Sequence, residues 1–233
     1  MPVEVKISGW QKSSFIDFPG TVATVLFLSG CNLTCPFCHN PAIVKGEIGP
    51  VGFDGVKSYI VKHKNIIEGV VISGGEPTLS ANLEEFCKSL RELELKIKLD
   101  TNGLLPEKIA ACAPDYLALD IKTSLKKYNL LGVSYPDYSE RLRKSIQLAI
   151  NMGRMAEIRI TAVPGIINIE DIESLTVELR GAAKIFIQQF ARAPQMLDPA
   201  YSFVKPYPAE ELERWRDVFL HNGIDCQIRV NGG

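Results

Sequence analysis

The chain has 233 residues, 46% hydrophobic and 23% charged, a balance that lets one core form and excludes wholesale disorder. At about 150 residues per domain, this length favours a single domain, read here as residues 1–233. Lysine and arginine number 26 against 27 acidic residues, a net charge of −1 that argues against a protein devoted to gripping nucleic acid or an anionic membrane.

In chain order, short apolar runs alternate with longer amphipathic stretches. Residues 22–29 predict the first strand and 53–63 a helix. Residues 69–75 follow as a strand, and 82–93 as a helix whose Leu83, Phe86, Cys87, Leu90 and Leu93 fall at helical spacing. Strands are predicted at 96–103 and 116–122. A helix at 139–151, carrying Leu142, Ile146, Leu148 and Ala149, leads to a strand at 157–165. Then come a helix at 170–179, a strand at 184–190, a helix at 210–222 and one further strand at 226–230. Ser80 or Asn82 and Ser139 suit helix N-caps, and Gly153 and Gly223 suit helix stops. Continuous Val, Ile and Leu runs suit strands buried on both faces. Repeated β-α units therefore predict an α/β fold, a parallel sheet curved into a partial (β/α)6 barrel. The barrel core is expected over about 20–190, with a C-terminal extension from about 191.

No apolar stretch approaches the ~18–20 residues of a membrane helix. Glu4 and Lys6 break the apolar run that an export signal needs, so a cytoplasmic protein is expected. Thiols stay reduced there, so six cysteines are not automatically disulfides. Cys31, Cys35 and Cys38 crowd one loop, whereas Cys87, Cys112 and Cys226 are scattered and read as small core hydrophobes.

Polar residues and glycines collect at the strand C-termini: Ser73-Gly74-Gly75-Glu76, Asp100-Thr101-Asn102-Gly103, Asp120-Ile121-Lys122, Pro164-Gly165 and Gln188-Gln189. That end of a parallel α/β sheet carries active sites. Singly, each would read as an ordinary loop. Together they argue for an enzyme.

The first strand runs directly into Gly30-Cys31-Asn32-Leu33-Thr34-Cys35-Pro36-Phe37-Cys38-His39-Asn40-Pro41. Three thiolates in one such turn can wrap a cubane iron–sulfur cluster and leave one iron open to a substrate. The alternative is a structural zinc held by the three cysteines and His39.

This C-x3-C-x2-C motif, followed by Gly74-Gly75-Glu76-Pro77, resembles the radical S-adenosylmethionine (SAM) superfamily. Phe18-Pro19-Gly20, Cys38-His39-Asn40-Pro41, Asp100-Thr101-Asn102-Gly103, Asp120-Ile121-Lys122 and Val163-Pro164-Gly165 are similar to its glycyl-radical-enzyme activases, nearest the anaerobic ribonucleotide reductase type. The resemblance implies a [4Fe–4S] cluster on Cys31, Cys35 and Cys38. It implies reductive cleavage of SAM to a 5′-deoxyadenosyl radical and hydrogen abstraction from a glycine of a partner enzyme. Anaerobic ribonucleotide reductase would be that partner, and a flavodoxin or ferredoxin the electron donor; neither nucleic acid nor membrane is expected as a partner. SAM contacts are implied at Asn40, Gly74, Gly75, Glu76, Asp100, Asn102, Lys122, Arg159, Gln188 and Gln189. A monovalent cation is implied at Asp100, Thr101 and Asp120, and substrate contacts at Asp17 and Arg159.

Two departures narrow the resemblance. Pyruvate formate-lyase activases tend to end the last barrel strand with a histidine, where this chain has Gln188 and Gln189. No cysteine lies between Cys38 and Gly74, so a second cluster in an inserted segment is not expected. A radical SAM enzyme acting on a small molecule or tRNA is the alternative within the superfamily; a non-catalytic metal-binding module is the alternative outside it. The segment 191–208, with four prolines, is expected either to cover the barrel mouth or touch a partner, or to be a plain loop.

Overall fold

A computed structural model describes residues 5–230. Glu4, cited above against an export signal, lies outside the described residues, as do the last three of the C-terminal extension. The chain divides into two compact units. The first comprises Met1–Asn32, Ala42–Thr101 and Glu107–Leu117; the second comprises Leu33–Pro41, Asn102–Pro106 and Ala118–Gly233.

In the first unit, β1 (Ile7–Ser14) pairs antiparallel with β2 (Ala23–Leu28). Helices α1 (Pro41–Lys45) and α2 (Phe53–Lys62) lead to β3 (Gly69–Gly74), which lies parallel to β2 from Ala23↔Gly69 to Leu28↔Gly74. Helix α3 (Leu83–Arg91) then connects to β4 (Lys96–Thr101), parallel to β3, and α4 (Pro106–Cys112) follows. Parallel neighbours require such crossovers. Phe18, Ala23, Val25, Val71 and Tyr116 form one buried cluster, with Phe27 packed on it.

Strand β5 (Tyr116–Asp120) leads into the second unit, where a 3-10 segment (Leu125–Leu131) precedes α5 (Tyr138–Met152). Next are β6 (Ala156–Ala162), α6 (Ile169–Glu178), β7 (Ile185–Gln189), α7 (Ala209–His221) and β8 (Cys226–Arg229). Both β6–β7 and β7–β8 are parallel. Asn168 and Asp171 close a reciprocal capping box on α6. Asp171 also accepts from Ser124 Oγ (2.6 Å) and Lys127 Nζ (2.7 Å), tying the 3-10 segment to α6. Trp215, Phe219 and Leu212 bury the inner face of α7.

Strand order follows chain order, β1 to β8, in one sheet. All six predicted barrel strands are present as β2–β7, and the architecture is the α/β arrangement expected of a partial (β/α)6 barrel. No helix among the described residues is long and apolar enough to cross a membrane.

Four elements differ from expectation, the first being α1, whose five residues are too few for a periodic signal. Strand β1 was not predicted, because its polar Gln11-Lys12-Ser13-Ser14 half breaks the apolar run and it forms by pairing with the open edge of β2. Helix α4 is only seven residues long, too short for a periodic signal, although Pro106 at its first position marks it. Helix α5 starts behind Asp137 and not Ser139. The Asp137 carboxylate makes no cap bond and pairs instead with Arg141 Nε at 2.9 Å. One cysteine expectation also changes. Cys87 and Cys112 are not separate core residues: their sulfurs meet at 2.7 Å. Cys226 stands alone, and burial pushes its thiol up to about 12.

Candidate active site

The first unit contributes the GGE turn. Backbone bonds Gly75 N→Leu28 O (3.0 Å) and Glu76 N→Gly30 O (2.8 Å) lay the loop after β3 against the loop after β2. Gly74 has φ +128°, and a Cβ there would sit 2.3 Å from Leu28 backbone; at Gly75 it would sit 1.9 Å from Gly30 O. Only glycines allow this approach, which also brings Cys31 Cβ within 3.3 Å of the position a Gly75 Cβ would take. Much of the Gly-Gly requirement is therefore strand-end packing.

Glu76 is 1% exposed. Its Oε1 accepts from Thr78 N (3.0 Å), from Thr78 Oγ1 and from Thr101 Oγ1 (2.7 Å). Three such bonds fix the orientation of a buried carboxylate. Thr101, placed by resemblance at a cation site, thus reaches Glu76. Asp100 pairs with Lys98, whose ammonium is buried. Lys98 was missed in the sequence. Its signal was the two-residue spacing to Asp100, which puts both on one strand face, and register aligns it with Val71 and Val25.

Asp17 lies in the β1–β2 loop, where its Oδ2 accepts from Ser14 Oγ at 2.5 Å and its N–H donates back to the same hydroxyl at 3.1 Å. Beside it Phe15 and Ile16 are 75% and 89% exposed.

The second unit contributes the cysteine turn. Cys38 N→Cys35 O (3.0 Å) closes Cys35-Pro36-Phe37-Cys38. Thr34 N anchors it to Leu131 O at 2.8 Å. On its other side Leu197 N donates to Cys38 O (3.0 Å) and Asp198 N to Pro36 O (2.9 Å), while Phe37 packs on Tyr201. His39 Nε2 meets Ala191 O at 2.7 Å and its ring stacks over Phe190. Residues 191–201 are thus a strap that pins the cysteine turn. None of the three loop cysteines is in a disulfide, and Cys35 is buried. Cys35 and Cys38, both on this pinned turn, are thiol donors of the kind an iron–sulfur cluster takes. The zinc alternative fits less well, because the His39 ring is turned to the strap. Among the described residues, no three Cys, His, Asp or Glu side chains are gathered around one ion site.

At the end of β5, Asp120 receives Arg159 Nε on Oδ1 (2.6 Å) and Lys122 Nζ on Oδ2 (3.0 Å). Burial opposes the Asp120 charge, but Arg159 and Lys122 outweigh it and hold the carboxyl well below its ordinary range. Burial likewise opposes the Lys122 ammonium, yet Asp120 and Cys35 raise it on balance. The trio carries one surplus positive charge. Both Asp120 oxygens are already bonded to cations, so a monovalent ion there would have to displace one of them.

Gln189 Nε2 donates to Tyr207 O at 3.2 Å. Register pairs Thr161 with Gln188 and Arg159 with Phe186, so Gln188 shares the Arg159 face and Gln189 does not. Asn102 turns inward, its Oδ1 accepting from Leu104 N at 3.1 Å. Asn40 is exposed beside the turn.

A model described as the radical SAM superfamily matches residues 25–176. A protein of Methanocaldococcus jannaschii described as a glycyl-radical enzyme activating enzyme is 32% identical over 196 residues, 79% of each chain. From the same organism, a protein described as a GTP 3′,8-cyclase is 26% identical over 205 residues, 82% of this chain and 66% of that one. The solved structure of TYW1 with a lysine-pyruvate adduct has a TM-score of 0.62 at 18% identity over 86% of this chain and 73% of that one, a likeness of fold.

Proposed function

The chain belongs to the radical SAM superfamily, and on that premise we propose that it is an activase that installs a glycyl radical on a partner enzyme. The family is one of enzymes that use a [4Fe–4S] cluster and SAM. The likeness to an activating enzyme over 79% of both chains is the observation that carries the activase reading. Anaerobic ribonucleotide reductase is the proposed partner, a flavodoxin or ferredoxin the donor, and the cytoplasm the compartment. One domain is proposed for residues 1–233, since a single family match runs through both units.

When bound, cluster and SAM supply one-electron reductive chemistry able to remove a hydrogen atom from a glycine. Cys31, Cys35 and Cys38 would hold three irons of the cluster. Glu76 and Asp100 would receive the methionyl ammonium, with Thr78 and Thr101 orienting Glu76. The surplus charge of Lys122 and Arg159 suits the methionyl carboxylate. Gly74, Gly75, Asn40 and Asn102 would line the same ligand. Gln188, on the Arg159 face, is preferred over Gln189 for an adenosyl edge. Asp17 and Arg159 remain the proposed contacts for the backbone of the glycine-bearing loop.

Anaerobic reconstitution should load about four irons per chain. Cys31→Ala, Cys35→Ala and Cys38→Ala should each abolish SAM cleavage, whereas a colourless protein with one tight zinc would refute the cluster. Electron paramagnetic resonance of the glycyl-radical enzymes from the same cell tests the partner. If none acquires a radical, a small-molecule reaction moves ahead, which the cyclase likeness favours.

A further inference from the structure

Cys87 on α3 and Cys112 at the end of α4 take no part in the reading above. Both are fully buried in the first unit. Their sulfurs lie 2.7 Å apart, well inside the separation of two unbonded sulfurs and about 0.7 Å beyond a disulfide bond.

The backbones that carry them are fixed by bonds independent of the sulfurs. Arg91 stands one helical turn after Cys87 on α3. Its guanidinium donates to Cys112 O (2.8 Å) and Ala113 O (2.5 Å), closing the last carbonyls of α4. Ala113 then turns the chain at φ +46°, and Asp115 Oδ2 accepts from Ile97 N at 2.7 Å. Two ends of one staple are therefore already aligned, with β4 lying between them in sequence.

We propose that Cys87 and Cys112 are a disulfide-forming pair that joins α3 to α4. Two thiols exchange with a low-molecular-weight disulfide: the sulfurs bond to each other, and the oxidant leaves as two thiols carrying the protons. Contact with Cys87, followed by burial, pushes the Cys112 thiol far above its ordinary range. Both sulfurs are fully buried once the chain has folded, so an outside disulfide cannot reach them there. The bridge accordingly forms while α3 and α4 are assembling and is then shielded from reductants. The loop it closes includes all of β4, with Asp100 and Thr101.

The test uses the full chain as isolated and after refolding in a glutathione–glutathione disulfide buffer. Each sample is denatured in N-ethylmaleimide without reductant, digested and mapped by mass. A peptide pair linking Cys87 to Cys112 is expected in the refolded sample, absent after reduction, with the other four cysteines alkylated. Protein refolded with reductant should melt about 6–12 °C lower than the bridged form, a difference missing from the Cys87→Ala, Cys112→Ala double variant. Full alkylation of both cysteines in the two samples, or a link to any other cysteine, overturns the proposal. Iron loading and SAM cleavage are read separately, so failure here leaves the activase reading untouched.

Discussion

Asp120→Asn is the sharpest test of how the second unit holds its charges. The substitution keeps the shape of the side chain and removes the one carboxylate shared by Arg159 Nε at 2.6 Å and Lys122 Nζ at 3.0 Å. Removing one partner of a buried ion pair costs about 3–5 kcal/mol, because the remaining charge is left without compensation. The lower end applies here: Arg159, Lys122 and Asp120 keep 14%, 19% and 22% of their side-chain exposure, so water can reach the cations, and Arg159 Nη1 keeps Glu157 at 4.0 Å. A loss of about 3 kcal/mol corresponds to about 6–12 °C in Tm for a chain of this size. Thermal unfolding of the cluster-free protein by circular dichroism reads it directly. The pH dependence has a definite sign. Asp120 is depressed in the folded state, so its contribution is complete above the unfolded carboxylate value of about 4 and declines as pH falls toward the lower folded value. The gap between wild type and Asp120→Asn should therefore be full at pH 7 and shrink in acid. A gap under about 2 °C at pH 7, or one that persists undiminished in acid, would refute this account of the charge trio.

Thr101→Val should weaken SAM binding about tenfold, the loss of one hydrogen bond to a charged group, and Thr101→Ser should restore it; equal affinity in Val and Ser variants would show that the bond to Glu76 does not position the carboxylate. Gly75→Ala should fail to fold or should lose cluster binding, because its Cβ would meet backbone at 1.9 Å; normal iron content and melting would contradict that packing. Asp17→Asn should preserve SAM cleavage by dithionite-reduced protein while suppressing glycyl-radical formation; loss of both together would assign Asp17 to its local bond with Ser14. Lys122→Met should leave iron content intact and weaken SAM about 10- to 150-fold, as expected for a charge-assisted contact worth about 1.5–3 kcal/mol.

The legible part of this protein was local. Six strands announced themselves as short β-branched and leucine runs, because a strand buried on both faces needs apolar residues throughout. The cysteine turn and the GGE turn were legible because both are short contiguous motifs. Asp120 and Lys122 could be singled out by their places at a strand end and Arg159 by the family resemblance, but their mutual pairing could not, because β5 and β6 are joined only through folding. Strand β1 exists because β2 offers an edge, and no period within Ile7–Ser14 encodes that. Lys98 drew no attention in the sequence, and only register placed it beside buried Val71. The strap at 191–201 was expected to cover the barrel mouth, touch a partner or be a plain loop; it meets the cysteine turn across 152 positions of chain at His39 and Ala191. Cys87 and Cys112 looked scattered for the same reason. Periodicity reports which face of an element is buried; which residue meets it there is decided by packing between distant segments.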